Sequence, residues 1–233
     1  YKSNYGDNYK DSLNQALTSA GYKNLSEYRQ KMIKQIQYAN FLLDYIDDHF
    51  DDVFNDYYQQ CAPKYVSLIK ISVSDTSSPT DDETSKLNEV KELISNTDKS
   101  FGDIAQDYSN DSTSSKKGSL GIVDSKDTSG IANSYGKDVF NAIEALSEGQ
   151  VSDVITGDDG YYFVKVTSTD KKTLKKELKK TDIDSPLLAY DDYLQYVVYN
   201  SYKINYKDKD IKKIVQEVVN KALEERKTER GEA

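Results

Sequence analysis

The spacing of apolar residues changes twice along this 233-residue chain, and this change constrains the fold more than any other feature. Up to Pro63, and again beyond about residue 170, apolar side chains recur every three or four residues, which predicts amphipathic helices. Between these regions, runs rich in β-branched and aromatic residues predict strands. We therefore predict an α+β protein with a mixed central domain at 64–169, inserted between helical arms at 1–63 and 170–233 that pack together as one discontinuous domain.

The central segment is predicted to run in the order β, α, α, β, α, β, β. The predicted strands are Tyr65–Val73, Ser119–Val123, Ser152–Thr156 and Tyr161–Thr167, and the predicted helices are Glu83–Ile94, Phe101–Tyr108 and Gly136–Leu146. The last two strands are joined by Gly157-Asp158-Asp159-Gly160, which is a strong hairpin signal. These elements predict a four-stranded, mainly antiparallel sheet surrounded by helices.

Two features of the arms allow more than one interpretation. The last predicted helix has a regular apolar stripe that must contact a partner, made of Ile211, Ile214, Val215, Val218, Val219, Ala222 and Leu223. That partner is the N-terminal arm, a second copy of the chain or a client polypeptide. The C-terminal arm also carries a series of tyrosines that either pack the arms together or line a groove, namely Tyr190, Tyr193, Tyr196 and Tyr199.

Composition excludes several classes of function. The net charge of −9 and the lack of a dense basic patch argue against a nucleic-acid-binding protein. One cysteine, Cys61, and one histidine, His49, allow no intrachain disulfide and no structural zinc site. No Gly-rich phosphate loop is present, and no apolar run reaches the ~20 residues of a membrane helix. The chain begins at Tyr1 and not at methionine, so we expect that a targeting segment has been removed.

Three segments of the central domain carry a family resemblance through their order and spacing. They are SFGDIAQDYSNDSTSSKKGSLGIV (Ser100–Val123), SYGKDVFNAIEALSEGQVSDVI (Ser134–Ile155) and DGYYFVKV (Asp159–Val166). Together they resemble the helix, active-site loop, pocket segment and last strand of a parvulin-like (rotamase, PpiC-type) peptidyl-prolyl isomerase domain, from about Tyr65 to Thr167. With its flanking helical arms the chain resembles foldase lipoproteins of the PrsA type, in an arrangement similar to SurA.

The resemblance implies a site for a proline ring and its peptide bond. The side chains implied to bind the substrate proline are Ile131, Tyr135, Phe140 and Leu120. Phe140 is equally well explained as a core residue that packs its helix onto the sheet. Asp111 stands where the family places an aspartate or cysteine beside the reacting peptide bond, although a loop aspartate also commonly caps a turn.

The two histidines usual in the family are replaced in this chain. Lys70 occupies the first-strand position and Tyr162 the last-strand position, and residues 64–169 contain no histidine. An unpaired ammonium is costly to bury, so we expect Lys70 to pair with Tyr162 or Asp111, or to extend outward to solvent. Lys70, Tyr162 and Asp111 are therefore the candidate catalytic residues.

The resemblance also implies a biological role. It implies a foldase that assists the folding of exported polypeptides, uses no cofactor and lies outside the cytoplasm of a Gram-positive bacterium, anchored to the membrane by a lipid outside this chain. A homodimer through the helical arms is a further expectation. Because both histidines are replaced, the alternative is an inactive holdase-type chaperone or scaffold that retains the parvulin fold.

Overall fold

The structure, a computed structural model, describes residues 2–179, 185–190, 192–201 and 203–229. The chain divides into two units, Tyr1–Phe50 and Asp51–Ala233, which are described separately. None of the helices in these described ranges is long and apolar enough to cross a membrane.

The first unit consists of helices. They are α1 (Lys2–Tyr5), a 3₁₀ turn (Gly6–Asn8), α2 (Tyr9–Ser19) and α3 (Leu25–Asp48). The helix α3 is capped at its start, because the Asn24 side chain accepts the backbone N–H of Glu27 at 2.9 Å. On α3, the side chain of Ile36 is 60% exposed, whereas that of Ile46 is buried. Within this unit α2 is less than half as long as α3, so it cannot cover all the apolar side chains of α3.

The second unit contains the sheet and most of the helices. Its elements are α4 (Phe50–Cys61, at the boundary between the units), β1 (Lys64–Ser72), α5 (Asp81–Asn96), α6 (Phe101–Tyr108), a 3₁₀ turn (Ser112–Lys116), β2 (Ser119–Val123), α7 (Ile131–Tyr135), α8 (Lys137–Ala145), β3 (Ile155–Gly157), β4 (Gly160–Ser168), α9 (Lys171–Leu178), α10 (Pro186–Ala189), α11 (Asp192–Ser201) and α12 (Lys209–Glu229). The predicted α+β fold with a four-stranded antiparallel sheet is confirmed.

The four strands pair in the order β2-β1-β4-β3, and every pairing is antiparallel. The predicted hairpin is present, with Gly157 paired to Gly160 at its turn. The third strand begins at Ile155 and not at Ser152, because the preceding residues contact β4 without a continuous ladder. There, Ser152 donates its backbone N–H to the carbonyl of Val164, and Val151 forms an isolated bridge.

The two faces of the sheet pack against different helices, because successive side chains of a strand point to opposite faces. One face contacts α5 and α6 through a cluster that includes Ile69 and Phe163. The other face contacts α7 and α8 through a cluster that includes Leu68 and Tyr162. Lys70 lies two residues beyond Leu68 and pairs across the strands with Tyr162, so it lies on this second face.

The structure contains a short helix, α7, that lies outside the predicted helix Gly136–Leu146, and two separate C-terminal helices, α10 and α11. Gly136, with φ at +98°, separates α7 from α8, and Tyr190 ends α10 before α11 begins. The C-terminal helices return to α4, because Arg226 forms an ion pair with Asp56 and the Tyr190 hydroxyl donates to the same carboxylate at 2.6 Å. The stripe of α12 is largely open, since Ile211, Ile214 and Val218 are each more than half exposed. The proposed division into arms and central domain stays a prediction.

Candidate active site

The two residues at the histidine positions are joined by a third residue. Lys70 and Tyr162 are cross-strand partners, and the Lys70 ammonium lies 5.6 Å from the centre of the Tyr162 ring. Lys70 forms an ion pair with one carboxylate oxygen of Asp159, and the Tyr162 hydroxyl donates a hydrogen bond to the other oxygen. The ion pair of Lys70 is thus with Asp159 and not with Asp111.

Asp159 is not among the site residues predicted from the sequence. It lies in the β3–β4 turn, directly before Gly160, which pairs with Ser72 near the end of β1. That register brings its carboxylate back over Lys70 and Tyr162. The available signal was the hairpin turn itself: once Lys70 and Tyr162 are placed opposite each other, an acidic turn residue next to their strands is the natural partner of the lysine.

The charges of this group are stabilised by one another. The pKa of Asp159 is held below its usual value mainly by the ion pair with Lys70 and, to a smaller extent, by the hydrogen bond from Tyr162. The pKa of Tyr162 is raised mainly by burial and, to a smaller extent, by the hydrogen bond to the Asp159 carboxylate. At neutral pH the group therefore contains an ionised Asp159 and a neutral Tyr162 phenol.

The four side chains implied to bind the substrate proline, which we call the cup, pack around one core cluster. Ile131 is a buried member of it, and Tyr135, Phe140 and Leu120 are partly buried against it. The rings of Tyr135 and Tyr162 are 6.2 Å apart and cross at 80°, which is the edge-to-face geometry that aromatic pairs favour. The structure therefore places the four predicted cup side chains on the sheet face that also carries Lys70 and Tyr162.

Asp111 forms hydrogen bonds within its own loop and also lies near Tyr135 of the cup. Its carboxylate caps the 3₁₀ turn by accepting the backbone N–H and the hydroxyl of Thr113, at 2.8 and 2.6 Å. Burial, together with the nearby charge of Asp111, raises the pKa of Tyr135 to about 12. The Asp111 carboxylate therefore lies close enough to Tyr135 to influence its hydroxyl group.

The Asp111 loop is fixed to β1 at both ends. At one end Asn110 donates its backbone N–H to the carbonyl of Lys70 at 2.8 Å. At the other end Leu68 donates its N–H to the carbonyl of Gly118 at 2.8 Å. Gly118 has φ at +75°, and a Cβ there would lie 2.4 Å from the Leu68 carbonyl oxygen, so this close approach requires glycine.

The short helix α7 is oriented by Asp127, which is also absent from the predicted site. Its carboxylate accepts the backbone N–H groups of Ile131 at 2.6 Å and Ala132 at 3.0 Å. Ile131 begins this helix and Tyr135 ends it, one turn later, so the Asp127 cap sets the direction of both side chains. The N-cap position of α7 is Gly130, which offers no capping side chain, so a cap supplied from three residues further upstream gives no local signal in the sequence.

A cleft of about 600 Å³ opens beside the cup, between the β3–β4 turn and the α7–α8 junction. Tyr135, Tyr162 and Asp159 contribute to its lining. The Tyr162 ring lies directly against Gly157, where a Cβ would approach within 2.6 Å of a ring carbon. The ring is therefore held between Gly157 and Tyr135.

Comparison with known proteins assigns this domain. Residues 68–168 match the rotamase family, described as the PPIC-type PPIASE domain. Proteins named "Foldase protein PrsA" from Staphylococcus aureus (strain MRSA252) and Staphylococcus epidermidis are each 32% identical over 141 residues, which cover 58% of this chain and 41% of each relative. The chain thus spans about two-fifths of the length of the curated relatives it matches.

Among solved structures, PrsA from Bacillus subtilis is 23% identical and covers 91% of this chain and 75% of that chain, with a TM-score of 0.43. PrsA from Streptococcus pneumoniae is 22% identical and covers 93% and 77%, with a TM-score of 0.38. The matched range 68–168 includes the residues that surround the cup. Residues 68–168 of this chain are therefore a PpiC-type rotamase domain.

Proposed function

We propose that this chain is a foldase of exported polypeptides that accelerates the cis–trans isomerisation of X–Pro peptide bonds. The observation that carries the proposal is the arrangement of Ile131, Tyr135, Phe140 and Leu120 around one cluster, with Asp111 beside Tyr135, inside a rotamase domain. Apolar side chains grouped in this way would suit a proline ring, and the Asp111 carboxylate would then act on the peptide group of the same residue.

The reaction requires no bond to be made or broken. The barrier to rotation about a peptide C–N bond is about 18–20 kcal/mol because of its partial double-bond character. A site lowers this barrier when it binds the twisted amide more tightly than the planar one. The cup would hold the ring while the rest of the peptide rotates.

Lys70 and Tyr162 are proposed to form the floor of the site in place of the usual histidines. They lie on the cup face of the sheet, and Tyr162 contacts Tyr135. Neither has to transfer a proton, because the substrate amide keeps its bonds throughout the rotation. Their proposed contribution is shape and a fixed local field, which is how a histidine pair beneath such a site would also contribute.

The test is an isomerisation assay on a proline peptide. The full chain is expected to accelerate cis-to-trans conversion, and Asp111→Ala is expected to lower kcat/KM roughly tenfold, since a hydrogen bond to a charged group contributes about 1.5 kcal/mol. The exposed Asp153→Ala is the matched control and should retain full activity. A rate equal to the uncatalysed one, or full activity in Asp111→Ala, would refute the proposal.

A second candidate is a holdase that binds unfolded clients through its helices, without isomerase activity. Exposed apolar side chains favour it: Ile33, Ile36 and Phe41 on α3, and Ile211, Ile214 and Val218 on α12. The predicted tyrosine groove is less well supported. Tyr190 is buried against Tyr57, and Tyr196 contacts Arg226, while the side chain of Tyr199 lies outside the described residues.

The location and assembly of the protein are also proposals. The similarity to foldases of Gram-positive staphylococci supports a site of action outside the cytoplasm, with a lipid anchor outside this chain. Unfolded or partly folded exported polypeptides would be its partners. A homodimer through the helical arms remains part of the proposal, and the exposed stripe of α12 offers a surface for it.

A further inference from the structure

We propose that Asp159 is a positioning residue of the isomerase site, which fixes Tyr162 and Lys70 beneath the cup. This inference rests on the proposed isomerase function and extends it to a residue of the β3–β4 turn. Both oxygens of one carboxylate are used: one accepts the Tyr162 hydroxyl and the other pairs with the Lys70 ammonium. A single side chain thus joins the residues at the two histidine positions.

The exposure of the three side chains shows that this is more than a surface ion pair. The Asp159 side chain is 64% exposed, but Lys70 is only 18% exposed and Tyr162 is 3% exposed. An exposed ion pair usually contributes little because water screens it. Here the exposed carboxylate binds two groups that are themselves largely removed from water, the Tyr162 hydroxyl and the Lys70 ammonium.

The bond to Asp159 determines what Tyr162 offers to the site. Because its hydroxyl proton is donated to Asp159, Tyr162 offers its ring edge and remaining oxygen lone pairs to the cup, and no free donor. The ring cannot move to compensate, since Gly157 lies on one side and Tyr135 on the other. Asp159 therefore fixes the direction of the Tyr162 hydroxyl group, while the neighbouring residues fix the position of the ring.

Asp159 also keeps the lysine apart from the other carboxylate of the site. Besides burial, the charge of Asp111 raises the pKa of both Tyr135 and Tyr162. Without Asp159, we expect the Lys70 ammonium and the Tyr162 hydroxyl to turn toward Asp111. That carboxylate would then be neutralised where the substrate peptide bond is proposed to lie.

The first experiment measures isomerisation by variants of the full chain. We expect Asp159→Asn to lower kcat roughly tenfold, equivalent to about 1.4 kcal/mol of activation free energy, with KM unchanged because the cup is intact. Asp159→Glu should recover part of the activity, because it restores the charge. Asp153→Asn, an exposed aspartate outside the cleft lining, is the control and should be fully active.

A double-mutant cycle separates positioning from a general structural effect. If Asp159 acts through its two partners, Asp159→Ala should cause no further loss in a chain that already carries Lys70→Met and Tyr162→Phe. Additive losses in this cycle would contradict the proposal, and so would full activity of Asp159→Asn.

A spectroscopic measurement tests the same inference without relying on catalysis. In the full chain labelled with ¹³C at the tyrosine Cζ atoms, Asp159→Asn should shift the Tyr162 signal, assigned with Tyr162→Phe, and Asp153→Asn should not. If the wild-type chain shows no isomerase activity, the proposed function fails, and this signal still decides whether Asp159 holds Tyr162. A Tyr162 signal unchanged by Asp159→Asn would overturn the inference.

Discussion

At the scale of single residues, the site brings together groups that keep their charge state near neutral pH. The pKa of Asp159 is held below the usual carboxyl range, and the pKa of Tyr135 is raised to about 12. The domain contains no histidine, the side chain that usually titrates between pH 5 and 8. Protonation of the site should therefore change only in acid or in strong base.

We expect kcat/KM to be constant between roughly pH 6 and 9 and to fall only below about pH 4. The sign follows from Asp159, whose folded-state pKa is lowered: its contribution is present above the ordinary Asp value and is lost as the pH falls through the lowered one. A pH–rate profile measures this, with His49→Gln as a control that should leave the profile unchanged. A bell-shaped profile centred near pH 6.5 would contradict the expectation.

The residues of the site differ in how far sequence could predict them. Asp111, Tyr135 and Lys70 stand at positions given by the family resemblance, so they could be named from the sequence, and their roles stay proposals. Asp159 could not be named, because its role depends on the register of two strands and on the direction of a turn side chain. Propensities describe a turn at this point, but they do not say which carboxylate reaches back across the sheet.

At the scale of elements, α7 matters most for the site, although it has only five residues. It carries Ile131 at its first position and Tyr135 at its last, and the Asp127 carboxylate caps it. A helix this short is not stable by itself, so its direction depends on the cap and on packing against the core cluster. The cap therefore controls the geometry of the cup.

We predict that Asp127→Ala will lower the free energy of unfolding by about 1 kcal/mol and raise KM for a proline peptide, because the cup residues lose their orientation. Urea denaturation and the isomerisation assay measure the two effects. Asp170→Ala is the control, since the Asp170 carboxylate also accepts a backbone N–H at the start of a helix, that of Thr173 on α9 at 2.8 Å, outside the matched rotamase range. It should cost similar stability without changing KM, and an equal change of KM in both variants would refute the prediction.

Elements with a clear apolar period and clear turn residues at their ends could be predicted from the sequence, whereas α7 could not. The bounds of α6 and β2 agree with the prediction, because each is a periodic segment ended by clear turn residues. The helix α7 was missed, since it lies between Gly130 and Gly136, two glycines with positive φ, in a stretch that composition describes as a loop. What forms it is tertiary: the Asp127 cap and the burial of Ile131.

At the scale of the whole second unit, helices far apart in sequence meet at Asp56. Arg226 on α12 and Tyr190 at the end of α10 both bind its carboxylate, and all three side chains are buried. A buried charge requires such partners, because its desolvation is costly. The hydrophobic pattern predicted that these helices pack somewhere, but an ion pair between residues 170 positions apart cannot be read from local spacing.

The exposed stripe of α12 leads to the last prediction, which concerns the chain as a chaperone. We expect the full chain to slow the aggregation of a proline-free unfolded client. Replacing Ile211, Ile214 and Val218 by lysine should weaken client binding by roughly tenfold or more, since each such side chain contributes about 1.5 kcal/mol or more when buried. Light scattering measures aggregation, and fluorescence anisotropy measures client affinity.

Two controls separate this surface from the isomerase site. Lys221→Ala, on the same helix, removes an exposed side chain that pairs only weakly with Glu225 at 3.6 Å, and it should leave client binding unchanged. Asp111→Ala should lower isomerase activity and retain the suppression of aggregation. If the triple lysine variant protects the client as well as the wild type does, the stripe of α12 is not a client surface, and the exposed face of α3 becomes the remaining apolar candidate within the described residues.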